Sequence, residues 1–299
     1  MEFQVNRIVP GKQFAIGGLS YIGKPQSNTA MFITKKVERL LPSLNNVDEC
    51  LVFAEAGITI PQDLLDKHAF SISEHPQLAY SRFANQFALE QFEEEKEIKF
   101  ILYPGGYYAS EDVKLPQDTY IEPGCVIGPR VQIGHNARIL SGTVIRHASI
   151  GDDFLSNENA VIGTNGFTMV EDEEGNLQRM PTLGKVIIGN NVEIGTHDNI
   201  SRGSSGNTII EDNVKLDSLV YIGHDTYLHK NVQITAGVIV GGFSELREHS
   251  YVGMNASLRN RISIGENVIV GMGSTVTKSF ESNITAVGNP AKVFNKNSQ

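Results

Sequence analysis

The chain has 299 residues, a formal net charge of −9 at pH 7 and a 40% share of hydrophobic residues. This length allows one or two packed domains, and the lack of clustered lysine and arginine argues against a nucleic-acid partner or an anionic membrane surface. The sequence has no apolar run long enough for a transmembrane segment, and the two cysteines, Cys50 and Cys125, suggest neither a disulfide framework nor a zinc site. The composition therefore predicts a cytoplasmic protein without a metal.

Residues 1–105 predict a small α/β domain. Residues 51–54 and 69–72 are short apolar runs with the pattern of strands. Residues 34–41 have helical spacing, and residues 76–92 place apolar side chains on one helical side, with Pro76 in the first turn.

The next region is dominated by a six-residue repeat of aliphatic residues. The series is Ile210, Leu216, Ile222, Leu228, Ile234, Val240, Leu246, Val252, Leu258, Ile264, Val270 and Val276. Neither a helix nor a plain alternating strand has this period, which is typical of a parallel β-helix in which each repeat forms one side of a coil. We expect a mainly β domain over residues 106–278, followed by a short tail over residues 279–299.

Two interruptions of the repeat predict loops that leave the coil. The segment between Ile162 and Ile188 fits no hexad, and the turn signal EEGN at its centre predicts a hairpin. Between Ile200 and Ile210 the step is ten residues, so four extra residues within SRGSSGN should bulge outward. Binding residues concentrate in such loops, although a tolerated insertion would look the same.

The hexads resemble the left-handed β-helix of the hexapeptide-repeat acyltransferases. This resemblance implies a homotrimer. Two stretches, AVIGTNGFTMVEDEEGNLQRMPTLGK and IGTHDNISRGSSGNTIIEDNVKLDSLVYIGHD, look more closely like the UDP-3-O-acylglucosamine N-acyltransferases of lipid A synthesis. This resemblance implies an acyl thioester donor and an acceptor amine on a nucleotide-linked sugar. It also implies that residues 1–105 bind the nucleotide.

His224 is the predicted catalytic base. N-acylation by a thioester needs a group that takes a proton from the amine, and histidine does this near neutral pH. His224 follows the inward Ile222 by two positions and should point outward, and Gly242, eighteen residues later, should stack above it and leave space beside the ring. Asp217 is expected to orient the imidazole. His224 and Asp217 match the family's catalytic histidine and its supporting aspartate; a surface histidine is the alternative. His147 and His249 are expected to be solvated.

Further contacts with substrate or donor are expected by the same resemblance. They come from Asn165, Gly166, Phe167, Arg202, Gly242, Arg261, Asn289 and Lys292. Arg261 stands where the family has a second functional histidine, and an arginine there could donate to an oxyanion or a phosphate. Lys35 and Lys36 replace the family's uracil-binding segment and could meet a diphosphate as point charges. The ending AVGNPAKV resembles the coenzyme-A-dependent sugar acetyltransferases, in which this segment closes over the cofactor.

The sequence thus predicts an N-acyltransferase that acylates a nucleotide-linked amino sugar, with acyl-CoA or acyl carrier protein as donor. Two enzyme hypotheses stay open. The tail and Lys35–Lys36 favour acyl-CoA and an amino sugar for a surface polysaccharide, while the His224 block favours the lipid A enzyme with an acyl carrier protein. A non-catalytic β-helix scaffold is the third hypothesis.

Overall fold

The structure is a computed structural model that describes residues 2–294, and it contains two compact units. Unit 1 comprises the chain up to residue 93 together with residues 167–183 and 204–206. Unit 2 comprises residues 94–166, 184–203 and 207 onward. These limits differ from the predicted boundaries at residues 105 and 278, because both inserted segments contribute to unit 1 and the tail belongs to unit 2.

Unit 1 is built on a four-stranded parallel sheet whose order is Gly18–Leu19, Thr29–Ile33, Leu51–Glu55 and Ala69–Ser73. The two central strands are almost continuously apolar and buried, as expected for a parallel sheet covered on both faces. The other elements are the strand pair Phe3–Gln4 and Ala15–Ile16, the 3-10 helices Val5–Arg7 and Lys35–Asn46, and the α-helices Gln62–Lys67 and Pro76–Lys96.

The predicted strands at residues 51–54 and 69–72 and the helix that begins at Pro76 are confirmed. Of the predicted helical stretch 34–41, residues 35–41 belong to a 3-10 helix with non-helical dihedrals at Val37. Within the described residues, none of the helices is both long and apolar enough to cross a lipid bilayer.

The first insertion forms the hairpin that its EEGN centre predicts. Strand Met169–Glu171 pairs antiparallel with Leu177–Arg179. The carboxylate of Asp172 accepts hydrogen bonds from the backbone amides of Glu174 and Asn176 at 3.0 and 2.8 Å, and these bonds close the turn. A side-chain ion pair of 2.6 Å between Arg82 and Glu173 joins the hairpin to the long helix within unit 1.

Unit 2 is a parallel β-helix with three faces, each a sheet of short strands. Face 1 contains Phe100–Leu102, Tyr108–Ser110, Val126–Ile127, Val144–Ile145, Val161–Thr164, Asn199–Ser201, Tyr221–Ile222, Ile239–Val240, Ser257–Leu258 and Thr275–Val276. Face 2 contains Gln132–Ile133, Ala148–Ile150, Val186–Ile188, Thr208–Ile210, Tyr227–Leu228, Glu245–Leu246 and Ser263–Ile264. Face 3 contains Tyr120–Ile121, Arg138–Ile139, Leu155–Ser156, Glu193–Ile194, Lys215–Leu216, Gln233–Ile234, Tyr251–Val252, Ile269–Val270, Thr285–Gly288 and Ala291–Val293.

The coil register follows directly from the hexads. Three hexads make one coil, so within the regular series from Ile210 to Val276 each strand pairs in parallel with the strand eighteen residues later, as Ile222 does with Val240. The twelve aliphatic residues of the series from Ile210 to Val276 are at most 3% exposed and fill the interior. The predicted parallel β-helix is confirmed. The tail continues it, because Thr285–Gly288 extends face 3 and pairs antiparallel with Ala291–Val293.

The inward assignment of the hexads leads to a stability prediction. Ile234 is 2% exposed, so aspartate there would place an unpaired charge in the coil interior. We expect Ile234→Asp to lower the free energy of unfolding by roughly 3–5 kcal/mol or more. Ile239→Asp is the matched control, because Ile239 is 50% exposed and should cost under about 1 kcal/mol. Urea titration of both variants measures this; equal losses would contradict the inward assignment.

Candidate active site

The corner between face 1 and face 2, called the 1–2 corner below, departs from the pattern of the other two. Each turn of the coil uses one residue with left-handed backbone, a conformation that glycine and asparagine tolerate best. Between faces 3 and 1 these residues are Gly124, Gly142, Asn159, His197, Leu219, Gly237, Asn255 and Gly273. Between faces 2 and 3 they are Asn136, Asp153, Asn191, Asn213, Asn231, His249, Asn267 and Asn283.

At the 1–2 corner glycine and asparagine are replaced. The left-handed residues there are Arg130, His147, Asp225, Phe243 and Arg261. Both inserted segments also leave the coil at this corner, since each follows a face 1 strand and precedes a face 2 strand. A bulky side chain at positive φ costs conformational energy. We therefore infer that this corner keeps its side chains for their chemistry.

His224 and Asp225 form the centre of the corner. The Nδ1 of His224 lies 2.8 Å from Oδ2 of Asp225, and the two side chains are only 13% and 3% exposed. The backbone amide of Asp225 donates to Oγ1 of Thr208 at 2.9 Å, which holds the turn. A carboxylate on Nδ1 favours the tautomer with its proton there, so that Nε2 can accept a proton. His224 therefore has the arrangement of a general base.

The prediction that Asp217 orients this ring is wrong. Asp217 follows the face 3 strand Lys215–Leu216 and lies at the corner between faces 3 and 1. A whole side of the coil, with strand Tyr221–Ile222, separates it from the 1–2 corner. Its carboxylate accepts the amide of Ser218 at 2.7 Å. Asp225, the residue after the histidine, takes the predicted role because it shares the corner.

Two glycines let the backbone approach the imidazole. A Cβ at Gly242 would lie 3.0 Å from Nε2 of His224, and one at Gly166 would lie 2.8 Å from its Cδ2. The predicted stacking of Gly242 on His224 is therefore confirmed. Gly163 is required for another reason: its φ is +88°, and a Cβ would lie 1.7 Å from the carbonyl oxygen of Arg146. These contacts explain the GTNG sequence at the start of the first insertion.

Arg261 is connected to His224 through an aromatic ring. Phe243 packs edge-to-face on the imidazole with ring centroids 5.1 Å apart. The guanidinium carbon of Arg261 lies 4.2 Å from the centroid of the Phe243 ring, a cation–π distance. Three successive coils thus contribute one side chain each to a stack. Arg261 brings a positive charge to this corner.

Arg202 anchors the segment that contains Gly166, beside His224. It is 7% exposed, and its Nε donates to Oδ1 of Asn165, the residue before Gly166, at 3.0 Å. Burial lowers the pKa of Arg202 to about 10, partly opposed by the negative charge of Glu95. Within residues 2–294 its Nη1 has no hydrogen-bond partner. The segment SRGSSGN leaves the coil as predicted, but Arg202, Ser204 and Ser205 are buried there.

The remaining predicted site residues lie in unit 1 or in the terminal hairpin of unit 2. Phe167 belongs to unit 1, is 74% exposed and lies under the guanidinium of Arg179. Asn289 and Lys292 are in the terminal hairpin of face 3, and face 3 does not border the 1–2 corner. Lys35 and Lys36 are exposed at the start of a 3-10 helix in unit 1, where the amide of Lys35 donates to Glu55 at 2.8 Å.

Unit 1 also contains a cavity of about 720 Å³ lined by residues that include Gly17, Asn28 and Thr29. This volume is in the range of small-molecule sites. Neither Lys35 nor Lys36 is among its lining residues.

The sequence contains a signal for the residues that were missed. Asp225 and Phe243 occupy hexad positions at which the other corners have mostly asparagine or glycine, so the substitution pattern points to them. His147, predicted to be solvated, is only 13% exposed. Burial, followed by the positive charges of Arg202 and Arg146, lowers its pKa to about 3.

The bacterial transferase hexapeptide family (six repeats) matches residues 112–147 and 207–242, and the second stretch contains His224, Asp225 and Gly242. These two stretches carry the hexapeptide repeats of that family. Among solved structures it is similar to LpxA from Acinetobacter baumannii, with a TM-score of 0.59 and 24% identity over 65% of this chain and 74% of that one. It is also similar to UDP-N-acetylglucosamine acyltransferase from Campylobacter jejuni, with a TM-score of 0.57 and 23% identity over 64% and 73% of the two chains. These likenesses concern the fold and confirm the predicted left-handed β-helix.

Curated relatives of this chain include a probable UDP-3-O-acylglucosamine N-acyltransferase 2, mitochondrial, of Arabidopsis thaliana. It is 36% identical over 136 residues, which are 46% of this chain and 45% of the relative. UDP-3-O-acylglucosamine N-acyltransferase 2 of Legionella pneumophila is 48% identical over 102 residues, 34% of this chain and 29% of the relative. The enzyme of that name from Coxiella burnetii is 38% identical over 132 residues, 44% and 39% of the two chains. The matches span less than half the length of these relatives.

The buried His147 predicts a pH dependence of stability. Its pKa falls from 6.5 to about 3, so below about pH 6.5 the unfolded chain binds a proton that the folded chain does not. The stability that the neutral ring provides is complete above that pH and is lost as the pH falls toward 3. Asparagine is compatible with the positive φ of residue 147. The His147→Asn variant should therefore avoid roughly 1–2 kcal/mol of the decrease in unfolding free energy between pH 7 and pH 5.

Urea unfolding at a series of pH values measures this effect. The matched control is His249→Asn, an exposed histidine with the same left-handed backbone, which should keep the pH dependence of the original chain. A His147→Asn curve parallel to that of the original chain would show that His147 is protonated in the folded state.

Proposed function

We propose that this protein is an N-acyltransferase that moves an acyl group from a thioester to the amino group of a nucleotide-linked amino sugar, with UDP-3-O-acylglucosamine as the acceptor. The observation that carries the proposal is the His224–Asp225 pair, whose Nε2 faces Gly242 at the 1–2 corner. The relatives named UDP-3-O-acylglucosamine N-acyltransferase support this acceptor. They favour it over the polysaccharide amino sugar that the tail suggested.

The proposed reaction begins with proton transfer to His224. As the amine nitrogen bonds to the thioester carbonyl carbon, Nε2 takes its proton, and the carboxylate of Asp225 stabilises the resulting imidazolium. The tetrahedral oxyanion then collapses, the C–S bond breaks, and the imidazolium returns the proton to the departing thiolate. The products are an amide and a free thiol, and His224 is neutral again.

Gly242 is the proposed donor to the oxyanion. Among residues 2–294, no acceptor is found for its backbone N–H, whereas the amides of Gly241 and Phe243 donate to the carbonyls of Leu258 and His224. This N–H lies in the glycine that approaches Nε2, so it adjoins the reacting atoms. One such donor is typically worth about 10²–10³ in rate.

Acyl carrier protein is the proposed donor, because the His224 block resembles the enzymes that use it. The support for acyl-CoA came from the AVGNPAKV ending. The two residues of that ending that were expected to contact the donor, Asn289 and Lys292, lie in a hairpin on face 3, which does not border the 1–2 corner. The homotrimer implied by the resemblance stays a prediction, and sedimentation velocity tests it: a monomer at micromolar concentration would contradict it.

Paired aspartate variants test the assignment of the base. Asp225→Asn keeps the left-handed turn but removes the charge that stabilises the imidazolium, so kcat should fall by about 10²–10⁴, as it should in His224→Gln. Asp217→Asn should retain activity within about threefold, because Asp217 lies at another corner. Steady-state kinetics on folded variants, checked by thermal melting, measure the effect. Loss of activity in Asp217→Asn with retention in Asp225→Asn would restore the original assignment.

A thiol-release assay with matched donors tests the function itself. We expect turnover of UDP-3-O-acylglucosamine with a 3-hydroxyacyl carrier protein, and at least tenfold lower kcat/KM with the same acyl group on coenzyme A. Turnover restricted to acyl-CoA and other nucleotide-linked amino sugars would return the protein to the polysaccharide hypothesis. Absence of turnover with every pair, in a chain that melts cooperatively, would favour the non-catalytic scaffold.

A further inference from the structure

A second group of titratable side chains lies at the corner between faces 2 and 3, away from His224. Glu211, His229 and Glu248 come from three successive coils, and one ligand atom of each lies within 4.8 Å of the others. The Nδ1 of His229 is 3.6 Å from Oε2 of Glu211 and 3.9 Å from Oε1 of Glu248. The three side chains are 18%, 25% and 39% exposed, in the order His229, Glu211, Glu248.

These separations fit a shared cation better than direct hydrogen bonds. An N–H···O bond spans about 2.7–3.2 Å, so Nδ1 of His229 is bonded to neither carboxylate. Two ligands that each lie about 2.0–2.2 Å from a tetrahedral zinc ion are about 3.4 Å apart. The distances from Nδ1 to Glu211 and Glu248 are close to that value.

The ring of His229 is held in the orientation that ligation needs. Its Nε2 lies 2.9 Å from Oε1 of Glu245. Tyr227 stacks on the ring with centroids 4.0 Å apart and planes 10° from parallel. Metal-binding histidines commonly donate their other N–H to a carboxylate, which fixes the tautomer and frees the ligating nitrogen. His229 has this arrangement, with Nδ1 directed to Glu211 and Glu248.

Glu211 is oriented in the same way. The Tyr227 hydroxyl donates to its Oε1, which leaves Oε2 toward His229. Oε2 also accepts the backbone amide of Lys230 at 3.1 Å.

Two nearby cations pair with other carboxylates. Nη2 of Arg247 lies 3.6 Å from Oε1 of Glu245, the oxygen that Nε2 of His229 also meets. The Nζ of Lys230 pairs with Asp212 at 3.2 Å. The carboxylates of Glu211 and Glu248 both face Nδ1 of His229.

We propose that Glu211, His229 and Glu248 bind a divalent transition metal of the zinc class, which joins three successive coils of the β-helix. One imidazole and two carboxylates form a ligand set that zinc accepts, with a fourth position left for water. Because coils in a repeat protein contact only their neighbours, a cation held by three of them stabilises the repeat array. The sequence predicts no metal, because ligands eighteen and nineteen residues apart match no short zinc motif.

Zinc titration of the full chain tests the proposal. After chelator treatment and dialysis, ZnCl₂ should bind one ion per chain by calorimetry and raise the melting temperature, and EDTA should reverse the rise. His229→Asn and Glu211→Gln should weaken binding by at least a hundredfold. Glu245→Gln, which removes only the partner of Nε2, should weaken it about 10- to 100-fold.

Matched controls come from the same corner. His249→Asn and Glu266→Gln are exposed residues between faces 2 and 3, and both variants should bind zinc as tightly as the original chain. The proposal is overturned if zinc does not bind, or if His229→Asn binds as tightly as His249→Asn. Equal affinity for Mg²⁺ or Ca²⁺ would also overturn the assignment to a zinc-class ion. Because the readouts are binding and melting temperature, the outcome is independent of the proposed acyl transfer.

Discussion

The stacking of aliphatic side chains inside the coil is the constraint on which unit 2 depends. Each hexad directs two small or aliphatic residues inward, such as Ile210 and Val214, both fully buried. Since the interior is filled by layers of these residues, a coil can neither widen nor slip by one position without exposing them. The rigid eighteen-residue register that results makes side chains on successive coils neighbours in space.

The proposed active site lies where this regularity is relaxed. Two corners have mostly asparagine and glycine at their left-handed turns. The 1–2 corner has larger side chains there, and both insertions leave the coil at this corner. The fold supplies a fixed spacing between corners, and the 1–2 corner uses it to stack His224, Phe243 and Arg261 from three coils. The corner between faces 2 and 3 aligns Glu211, His229 and Glu248 in the same manner.

The misassignment of Asp217 shows how far linear distance misleads in such a fold. Asp217 precedes the histidine by seven residues and Asp225 follows it directly, and both are carboxylates that could reach an imidazole. The coil turns through one corner between Asp217 and strand Tyr221–Ile222, which directs its side chain to a different edge. Asp225 stays at the corner of His224 because a left-handed residue must close that turn.

The sequence alone was sufficient for the β-helix, the hairpin insertion and the α/β character of unit 1, because local periodicity and turn residues encode each of them. It was insufficient for the partner of His224, the burial of His147 and Arg202, and the division of the chain into units. Those features depend on which coils become neighbours and where the inserted segments fold. Such long-range contacts join residues tens of positions apart, and only the folded chain brings them together.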